Sequence, residues 1–513
     1  MRSTLEINDQ FKRALELIEN TSKNVFITGK AGTGKSTLLE YFRANTKKEV
    51  VVLAPTGVAA LNVKGQTIHS FFGFKPDITL NKIKKIKFTR DKPNIFLKID
   101  IIVIDEISMV RADLLDCVDK FLRLNGPSGR QAFGGIQMVF IGDLYQLPPV
   151  VTGREKQIFK EHYPSPYFFD AQVFESFQME YLELEKVYRQ KDEKFIALLN
   201  SIRNNSAGEA ELAALNKRYD PSYEPRSDFS VILTSTNQMA ADINQQRLNS
   251  LKGKERVFSG ELEGEFEAYQ LPTESDLRLK KGAQVMMLNN DGRGRWVNGS
   301  MGKLAGFDEE EIVVKLADGE EVWVSPFTWE VFNYEFDRRS GRIETDVVGA
   351  FTQYPLKLAW AITIHKSQGK TFDRVAIDIG KGTFAHGQMY VALSRCRTLQ
   401  GMVLKKPIKK SHIFMDWRVV KFVTRFQYQK SEEDCPFEDK VVMITRAIES
   451  KADIEITYLK AADVKSRRII TPLEVGEMEY NGKPFVGLRA FCKMRGEERV
   501  FRVDRVLEMK TRS

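Results

Sequence analysis

Cysteine is scarce in this chain, with four residues among 513. The four are widely separated and form neither a CxxC pair nor a Cys/His cluster; they are Cys117, Cys396, Cys435 and Cys492. A disulfide framework is typical of short secreted chains dense in cysteine, and a structural zinc site needs clustered ligands. The spacing therefore argues against both.

Long apolar runs are also missing. No stretch approaches the ~20 apolar residues that span a bilayer, and the first six residues contain no apolar signal core. We therefore expect a soluble intracellular protein without a membrane partner.

The length and the net charge of the chain indicate how many domains it has and what kind of partner it binds. With about 150 residues per domain, the length predicts three or four structural units. The formal net charge of +9 favours a polyanionic partner, although it carries no information about the fold.

The stretch GKAGTGKS at residues 29–36 fits the phosphate-binding loop pattern G-x-x-x-x-G-K-[ST]. An apolar strand precedes it and a helical pattern follows it, as this loop requires. Main-chain N–H groups and the helix start would hold a triphosphate, Lys35 would reach its β- and γ-phosphates, and Ser36 would bind Mg²⁺. The residues predicted to bind nucleotide here are Gly29, Ala31, Gly32, Thr33, Gly34, Lys35, Ser36 and Thr37.

A second apolar strand, residues 99–104, ends in Asp105 and Glu106. Beside a phosphate loop, this pair predicts that Asp105 holds Mg²⁺ and that Glu106 orients and deprotonates the attacking water. A third strand, residues 137–141, leads to Gln146, which could sense the γ-phosphate.

Four more residues are predicted around the nucleotide. Arg189 and Arg395 could act on the γ-phosphate across a cleft, although a lone arginine is usually a surface residue. Gly369 could approach the nucleotide, and the amide of Gln10 could pair with the adenine edge. A solvated helix residue is an equally good interpretation of Gln10 from this residue alone.

Polar groups at strand ends predict contacts with a phosphate backbone. Thr56, His69, His365 and Lys366 carry suitable donors. The neighbouring Phe71 and Phe72 could stack on bases, but a core position is the more common role for phenylalanine. The basic segment 80–92 either touches a nucleic-acid backbone or forms a solvated charged face.

The pattern in the remaining part of the chain predicts a second sheet that contains an insertion, followed by a tail. Short alternating strands within 277–324 predict a small inserted β-barrel. After a polar linker, alternating segments between 454 and 506 predict a compact β-rich module.

In order, the motifs are Gln10, GKAGTGKS, APTGVAA, GQTIHSFF, DEISM, GDLYQLPPV, VYRQ, ITIHKSQG and YVALSRCR. Together they resemble the superfamily-one, type B DNA helicases, and within them the petite-integration-frequency family, relatives of RecD. The tail resembles a WYL domain, whose name stands for the sequence Trp-Tyr-Leu. In this chain Thr457 stands in place of the Trp, while Tyr458 and Leu459 agree with the name.

The resemblance implies an α/β fold with two RecA-like P-loop domains, a wedge excursion, an inserted β-barrel and a C-terminal β-rich WYL-type barrel. The expected bounds are 1–165 (wedge 74–97), 166–428 (barrel about 296–350), a linker at 429–439, and 440–513. The resemblance also implies that ATP with Mg²⁺ binds between the two domains, where Gln146, Arg189 and Arg395 contact the γ-phosphate. The residues it places against DNA are Pro55, Thr56, His69, Thr234, His365 and Lys366.

The implied activity is ATP-dependent 5′-to-3′ unwinding, by a monomer that travels on single-stranded DNA and acts on forked or structured DNA. We expect it in a bacterial-type cytoplasm, associated with the nucleoid when on DNA. In the tail, Arg467, Arg489, Arg499 and Arg502 either contact phosphates or form a charged exterior. The rival interpretations are a nucleotide- or DNA-sensing regulator with a vestigial motor, an RNA-directed motor, and a nuclease, for which no carboxylate cluster is found outside the ATP site.

Overall fold

The structure, a computed structural model, describes residues 7–75, 78–89, 93–151, 159, 161–224, 229–264, 266, 271–308, 311–337, 342–383, 385–460 and 463–511. The chain forms two compact units. One comprises Met1–Asn200 with Ala207–Phe414, and the other Ser201–Ser206 with Met415–Ser513. Within the described ranges, no helix is both long and apolar enough to cross a bilayer.

The first unit begins with a parallel sheet in the spatial order β3-β2-β4-β5-β1-β6. Its central strands are short, fully buried apolar runs, as expected where helices cover both faces of a parallel sheet. The strands are β1 (Val25–Gly29), β2 (Val50–Ala54), β3 (Gln66–Thr67), β4 (Ile101–Ile104), β5 (Gln137–Ile141) and β6 (Glu180–Leu184). The described helices are α1 (Asp9–Asn20), α2 (Lys35–Asn45), α3 (Gly57–Asn62), α4 (Ile68–Phe72) and α5 (Ala112–Asn125).

Capping residues fix where these helices start. The side chain of Asn8 accepts a hydrogen bond from Phe11 N at 2.9 Å, and Thr56 Oγ1 accepts one from Ala59 N at 3.3 Å. Each cap satisfies an N–H group that would otherwise have no partner in the first turn. As a result only two residues separate the end of β2 from the start of α3, and Thr56 lies at the carboxyl edge of the sheet.

A second parallel sheet in the same unit has the order β18-β7-β19-β20. Its strands are β7 (Val231–Thr234), β18 (Ala361–Thr363), β19 (Val375–Asp378) and β20 (Met402–Leu404). The described helices of this half are α6 (Glu193–Arg203), α7 (Glu209–Asn216), α8 (Asn237–Ser250) and α9 (Gln388–Ser394).

Between β7 and β18 lies a β-rich insertion. A five-stranded antiparallel sheet has the order β14-β13-β12-β11-β17, and a long hairpin, β15 with β16, pairs with β9. Alternating exposed and buried side chains along β14 place Val322 and Val324 in its apolar core. The strands are β8 (Arg256–Ser259), β9 (Glu261–Gly264), β10 (Asp276–Leu279), β11 (Gln284–Met287), β12 (Met301–Asp308), β13 (Glu311–Leu316), β14 (Glu321–Val324), β15 (Phe327–Asp337), β16 (Arg342–Gln353) and β17 (Leu356–Leu358).

The second unit is a helical pair with an antiparallel sheet in the order β24-β23-β22-β21-β25. Helix α11 packs its buried Ile444 against the apolar face of this sheet. The elements are α10 (Trp417–Asp434), α11 (Phe437–Glu449), β21 (Ile454–Lys460), β22 (Val464–Tyr480), β23 (Lys483–Cys492), β24 (Glu497–Arg502) and β25 (Val506–Thr511).

The expected fold class is confirmed, but the observed elements cross the expected bounds. Strand β6 pairs with β1, so the first sheet continues past residue 165. The insertion is wider than 296–350, because β11 and β17 belong to its sheet. The predicted linker at 429–439 is mostly helical: α10 runs through Asp434 and α11 starts at Phe437, with Pro436 as its N-cap.

Candidate functional site

The phosphate loop connects β1 to α2 through three glycines with positive φ: Gly29 (154°), Gly32 (82°) and Gly34 (87°). A Cβ on Gly32 would lie 2.4 Å from the Cβ of Arg189. Only glycine fits where the conformation is left-handed and another segment approaches this closely. The loop therefore has the cradle geometry that a phosphate group requires.

Lys35 opens α2 directly behind this cradle. Its Nζ donates to the carbonyl oxygens of Gly29 at 2.7 Å and Lys30 at 3.2 Å, so the ammonium group lies under the loop. Burial lowers the pKa of Lys35, while the carboxylates of Asp143, Glu106 and Asp105 oppose that shift. Three acidic groups thus face one lysine.

Two of those carboxylates are the predicted pair after β4. Asp105 is buried, and Glu106 has a left-handed backbone with φ of 50°. Burial raises the pKa of both carboxyl groups, and their proximity raises that of Glu106 further. A non-glycine residue held in this conformation is characteristic of functional sites.

Asp143 lies two residues after the end of β5, and sequence reasoning did not single it out. The Nε2 of Gln146 donates to Asp143 Oδ2 at 3.2 Å, and Gln146 N donates to the Asp143 carbonyl at 2.9 Å. Asp143 therefore orients the predicted sensor Gln146. An acidic residue two positions after a buried strand of the same sheet was the available signal.

Arg189 and Arg395, the two arginines predicted to act on the γ-phosphate, lie against the same loop. Arg395 is 1% exposed, and both guanidinium groups donate to carbonyl oxygens of one loop, residues 367–370. Burial and the nearby charge of Arg189 lower the pKa of Arg395, whereas Glu106 and Asp143 oppose this. In the described part of the chain, neither arginine forms a salt bridge with a carboxylate.

Tyr390 of α9 is a second residue that sequence reasoning missed. Its hydroxyl accepts a hydrogen bond from Ala31 N of the phosphate loop at 3.0 Å. The same side chain faces both Arg189 and Arg395. An aromatic residue in an apolar helix gave no sequence signal for this position.

The other predicted nucleotide residues lie around the loop. Gln10 Oε1 accepts from Glu185 N at 2.9 Å, which fixes the orientation of its amide. Thr33 Oγ1 donates to Lys30 O at 3.0 Å. Ser36 and Thr37 are exposed in the first turn of α2, and Gly369 is exposed with φ of 75° while its carbonyl accepts from Arg189.

Four of the residues predicted to face DNA lie on strand-end turns, and a fifth, His69, lies on a short helix. Pro55 and Thr56 follow β2, and His365 and Lys366 follow β18, with Thr56 and Lys366 exposed. His69 is on α4, where burial and the charge of Arg111 lower the pKa of its imidazole.

The sixth residue predicted to face DNA, Thr234, does not expose its side chain in this structure. Thr234 is fully buried at the end of β7, and its hydroxyl donates to Thr236 O at 3.0 Å. Thr236 is exposed and caps α8 with φ −130° and ψ 152°, close to the φ −131° and ψ 153° of Thr56 at α3. The chain thus repeats one turn in both halves, and T-x-x-x-A in PTGVAA and STNQMA was the signal.

Phe71 and Phe72 belong to an aromatic cluster, which favours the core interpretation. Phe72 is 4% exposed and stacks on Phe74 with ring centroids 5.3 Å apart. Phe71 contacts the ring of Tyr334 from the inserted hairpin at 5.7 Å. In the basic segment 80–92, Ile83 is buried, and residues 90–92 lie outside the described residues.

The four tail arginines singled out from sequence each pair with a carboxylate. This favours a charge-balanced exterior over phosphate contacts. The pairs are Arg467–Glu455 at 3.6 Å, Arg489–Glu474 at 2.5 Å, Arg499–Glu497 at 2.5 Å and Arg502–Asp504 at 2.7 Å.

Comparison with known proteins agrees with this geometry. A family model described as PIF1-like helicase matches residues 6–211, and a WYL domain model matches residues 439–511. The ATP-dependent DNA helicase Pif1 of Bdellovibrio bacteriovorus is 31% identical over 435 residues, covering 82% of this chain and 93% of that protein. The human ATP-dependent DNA helicase PIF1 is 34% identical over 393 residues, but the match covers 74% of this chain and 58% of that protein.

Solved structures of Pif1 proteins are also similar to this chain. Bacteroides sp Pif1 in complex with ADP-AlF4 has a TM-score of 0.77 and 36% identity, covering 83% of this chain and 98% of that one. Bacteroides Pif1 bound to ssDNA has a TM-score of 0.62 at 36% identity, with 83% and 98% covered.

Proposed function

Because the chain belongs to the PIF1-like helicase family and carries a C-terminal WYL domain, we propose that it is an ATP-dependent DNA helicase that moves 5′ to 3′ on single-stranded DNA and unwinds duplex DNA. One observation carries this proposal. Lys35 of the first half and Arg395 of the second half face the same two carboxylates, Glu106 and Asp143.

Each group has a role in ATP hydrolysis. The phosphate loop and Lys35 hold the triphosphate, and Glu106 orients the attacking water and accepts its proton. Arg189 and Arg395 stabilise the charge that develops on the transferred phosphoryl group. Because burial raises the pKa of Glu106, its carboxylate is a stronger base than an exposed glutamate.

Ser36 and Asp105 suit Mg²⁺, since a hydroxyl and a carboxylate are the hard oxygen donors that this ion prefers. The pKa of Asp105 is raised by burial, so a nearby cation would stabilise its ionised form. When bound, Mg²⁺ neutralises charge on the phosphate oxygens.

Movement along DNA follows from coupling both arginines to one loop. Residues 367–370 accept hydrogen bonds from Arg189 and Arg395, and the same turn presents His365 and Lys366. A change in the arginines on hydrolysis would shift this turn and alter its affinity for the strand. Alternating affinity in the two halves is what produces net translocation.

The strand contacts proposed lie at the edges of both sheets, and all except Pro55, which has no N–H group and would only pack against the strand, offer hydrogen-bond donors. Thr236 replaces Thr234 in this set, joining Pro55, Thr56, His69, His365 and Lys366. Phosphate contacts carry no base information, so we expect sequence-independent, salt-sensitive binding of single-stranded and forked DNA by a monomer.

We assign the WYL domain an accessory nucleic-acid-binding or regulatory role. We place the working protein in the cytoplasm, associated with the nucleoid.

The test uses two otherwise identical duplexes, one with a 5′ tail and one with a 3′ tail, incubated with ATP and Mg²⁺. The full chain should unwind only the 5′-tailed duplex, and Lys35→Ala should unwind neither while still binding single-stranded DNA. Unwinding of the 3′-tailed duplex alone would overturn the polarity. Absence of DNA-stimulated ATP hydrolysis would instead favour the regulator with a vestigial motor, and stronger stimulation by RNA would favour an RNA-directed motor.

A further inference from the structure

Three lysines cluster where the insertion rejoins the second parallel sheet. Lys357 lies on β17, the last strand of the insertion, while Lys366 and Lys370 lie on the turn that follows β18. The positive charges of Lys366 and Lys370 both act on Lys357. Of the three lysines, only Lys366 lies within a sequence motif predicted to contact DNA, the stretch ITIHKSQG.

The position of Lys357 follows from strand alternation. Its neighbours Leu356 and Leu358 pack in the apolar core of the insertion, so Lys357 points to the opposite face. Across the ladder it pairs with Met286 of β11. The next β11 residue, Met287, accepts a hydrogen bond from Gly299 N at 2.9 Å, which places the loop 288–300 beside Lys357.

That loop also receives Lys370. The Lys370 stem passes Gly299, where an added Cβ would lie 4.0 Å from Lys370 Cγ. The Lys370 Nζ donates to Asn298 Oδ1 at 2.6 Å, and Asn298 Nδ2 donates to Asn62 Oδ1 of α3 at 3.4 Å. A chain of polar groups thus runs from the second half, through the insertion, to the first half.

The cluster lacks compensating negative charge. Across the described ranges of the chain, no carboxylate forms a salt bridge with any of the three lysines, and Lys357 makes no hydrogen bond through its side chain. Burial and the neighbouring ammonium groups lower the pKa of Lys357 to about 7, and burial lowers that of Lys370 to about 8. Partly buried like charges are costly unless an anion joins them.

We propose that Lys357, Lys370 and Asn298, beside Lys366, form a slot that binds one backbone phosphate of the single strand. This rests on the proposed function and extends its DNA contacts to the root of the insertion. A phosphate has the charge and the acceptor oxygens that two ammonium groups and an amide require. Because the slot contacts a phosphate and not a base, it would bind single-stranded DNA of any sequence.

The slot also lies next to the hydrolysis site along the chain. The carbonyl oxygen of Lys370 accepts a hydrogen bond from Arg395 Nη1 at 3.4 Å, while its side chain belongs to the slot. A strand seated on Lys370 therefore holds the loop that positions Arg395. Weakening the slot should raise the DNA concentration needed for half-maximal ATP hydrolysis.

The experiment compares Lys357→Gln and Lys370→Gln with Lys315→Gln in the full chain. Lys315 is exposed on β13 of the same insertion, so its substitution removes the same charge away from the slot. The readout is the affinity for a fluorescent oligothymidylate between about 50 and 200 mM salt. Each slot variant should bind about three- to tenfold more weakly, and its salt slope should fall by about 0.7, the value for one contact on single strands. Lys315→Gln should match the unsubstituted chain.

Two further variants separate charge from packing. Lys357→Arg and Lys370→Arg keep the charge and should keep the salt slope. The proposal is overturned if the glutamine variants behave as Lys315→Gln does, or if the arginine variants lose slope as the glutamine variants do. ATP hydrolysis stimulated by saturating DNA should persist in all variants; its absence in the unsubstituted chain would refute the proposed function instead of the slot.

Discussion

Arginines in the two units of this protein lie in opposite electrostatic environments. In the first unit, Arg395 is buried and Arg189 is half-buried, and their hydrogen-bond partners are carbonyl oxygens and a hydroxyl. In the second unit, Arg467, Arg489, Arg499 and Arg502 are largely exposed, and each pairs with a carboxylate on a nearby strand or turn.

The difference distinguishes a binding site from a balanced surface. An exposed pair is worth roughly 0–1 kcal/mol and its charge is already compensated. A buried guanidinium held by neutral groups keeps its full charge for an incoming anion. The same contrast places the slot lysines with Arg189 and Arg395, and it predicts that substitutions in the two units differ by orders of magnitude in effect.

Arg395→Ala tests this contrast where the expected effect is largest. Removing a guanidinium that stabilises phosphoryl transfer should lower kcat for DNA-stimulated ATP hydrolysis about 10³-fold, while ATP still binds through the phosphate loop. Steady-state hydrolysis and nucleotide affinity measure the two effects. Arg489→Ala in the tail is the matched control. If both variants hydrolyse ATP at similar rates, Arg395 is not an arginine finger.

Thr236→Asp sharpens the assignment of strand contacts, with an intermediate effect. Aspartate keeps the helix cap but sets a negative charge beside the proposed phosphate, which should weaken single-stranded DNA binding about five- to tenfold. Thr236→Asn retains the cap without the charge and is the control. Thr234→Val should leave affinity unchanged. A larger loss from Thr234→Val than from Thr236→Asp would restore the original sequence assignment.

Arg489→Ala should give the smallest change. Because its pair with Glu474 is half exposed on both sides, the free energy of unfolding should fall by less than about 1 kcal/mol. Denaturant unfolding and DNA affinity of the full chain measure the effect. A drop of about tenfold in DNA affinity would show that this arginine exchanges its carboxylate for phosphate.

The fold class and the conformation of the phosphate loop were predictable because their signals are local. Gly32 and Gly34 are required by a loop whose φ angles no other residue adopts easily, and Asp105 follows an unbroken apolar strand. Residues whose role depends on distant segments were not predictable. Tyr390 reaches Ala31 across 359 positions, and only the tertiary packing of α9 against the phosphate loop brings them together.

The burial of Thr234 and the extent of the first sheet were not predictable for a related reason. A strand end can present either of two adjacent polar residues, and which one is exposed depends on where the next helix is capped. Strand β6 joins the first sheet by crossing the expected bound at 165, and pairing of that kind is set by tertiary contacts, not by local composition.

The most direct test of the central claim is a crystal structure of the full chain with a non-hydrolysable ATP analogue and Mg²⁺. We predict that Lys35 and the guanidinium groups of Arg189 and Arg395 all lie within hydrogen-bonding distance of the terminal phosphate, on opposite sides of it. The account would be contradicted if Arg189 and Arg395 kept only their carbonyl partners in residues 367–370 and 394 while the phosphate contacted the loop of residues 29–36 alone.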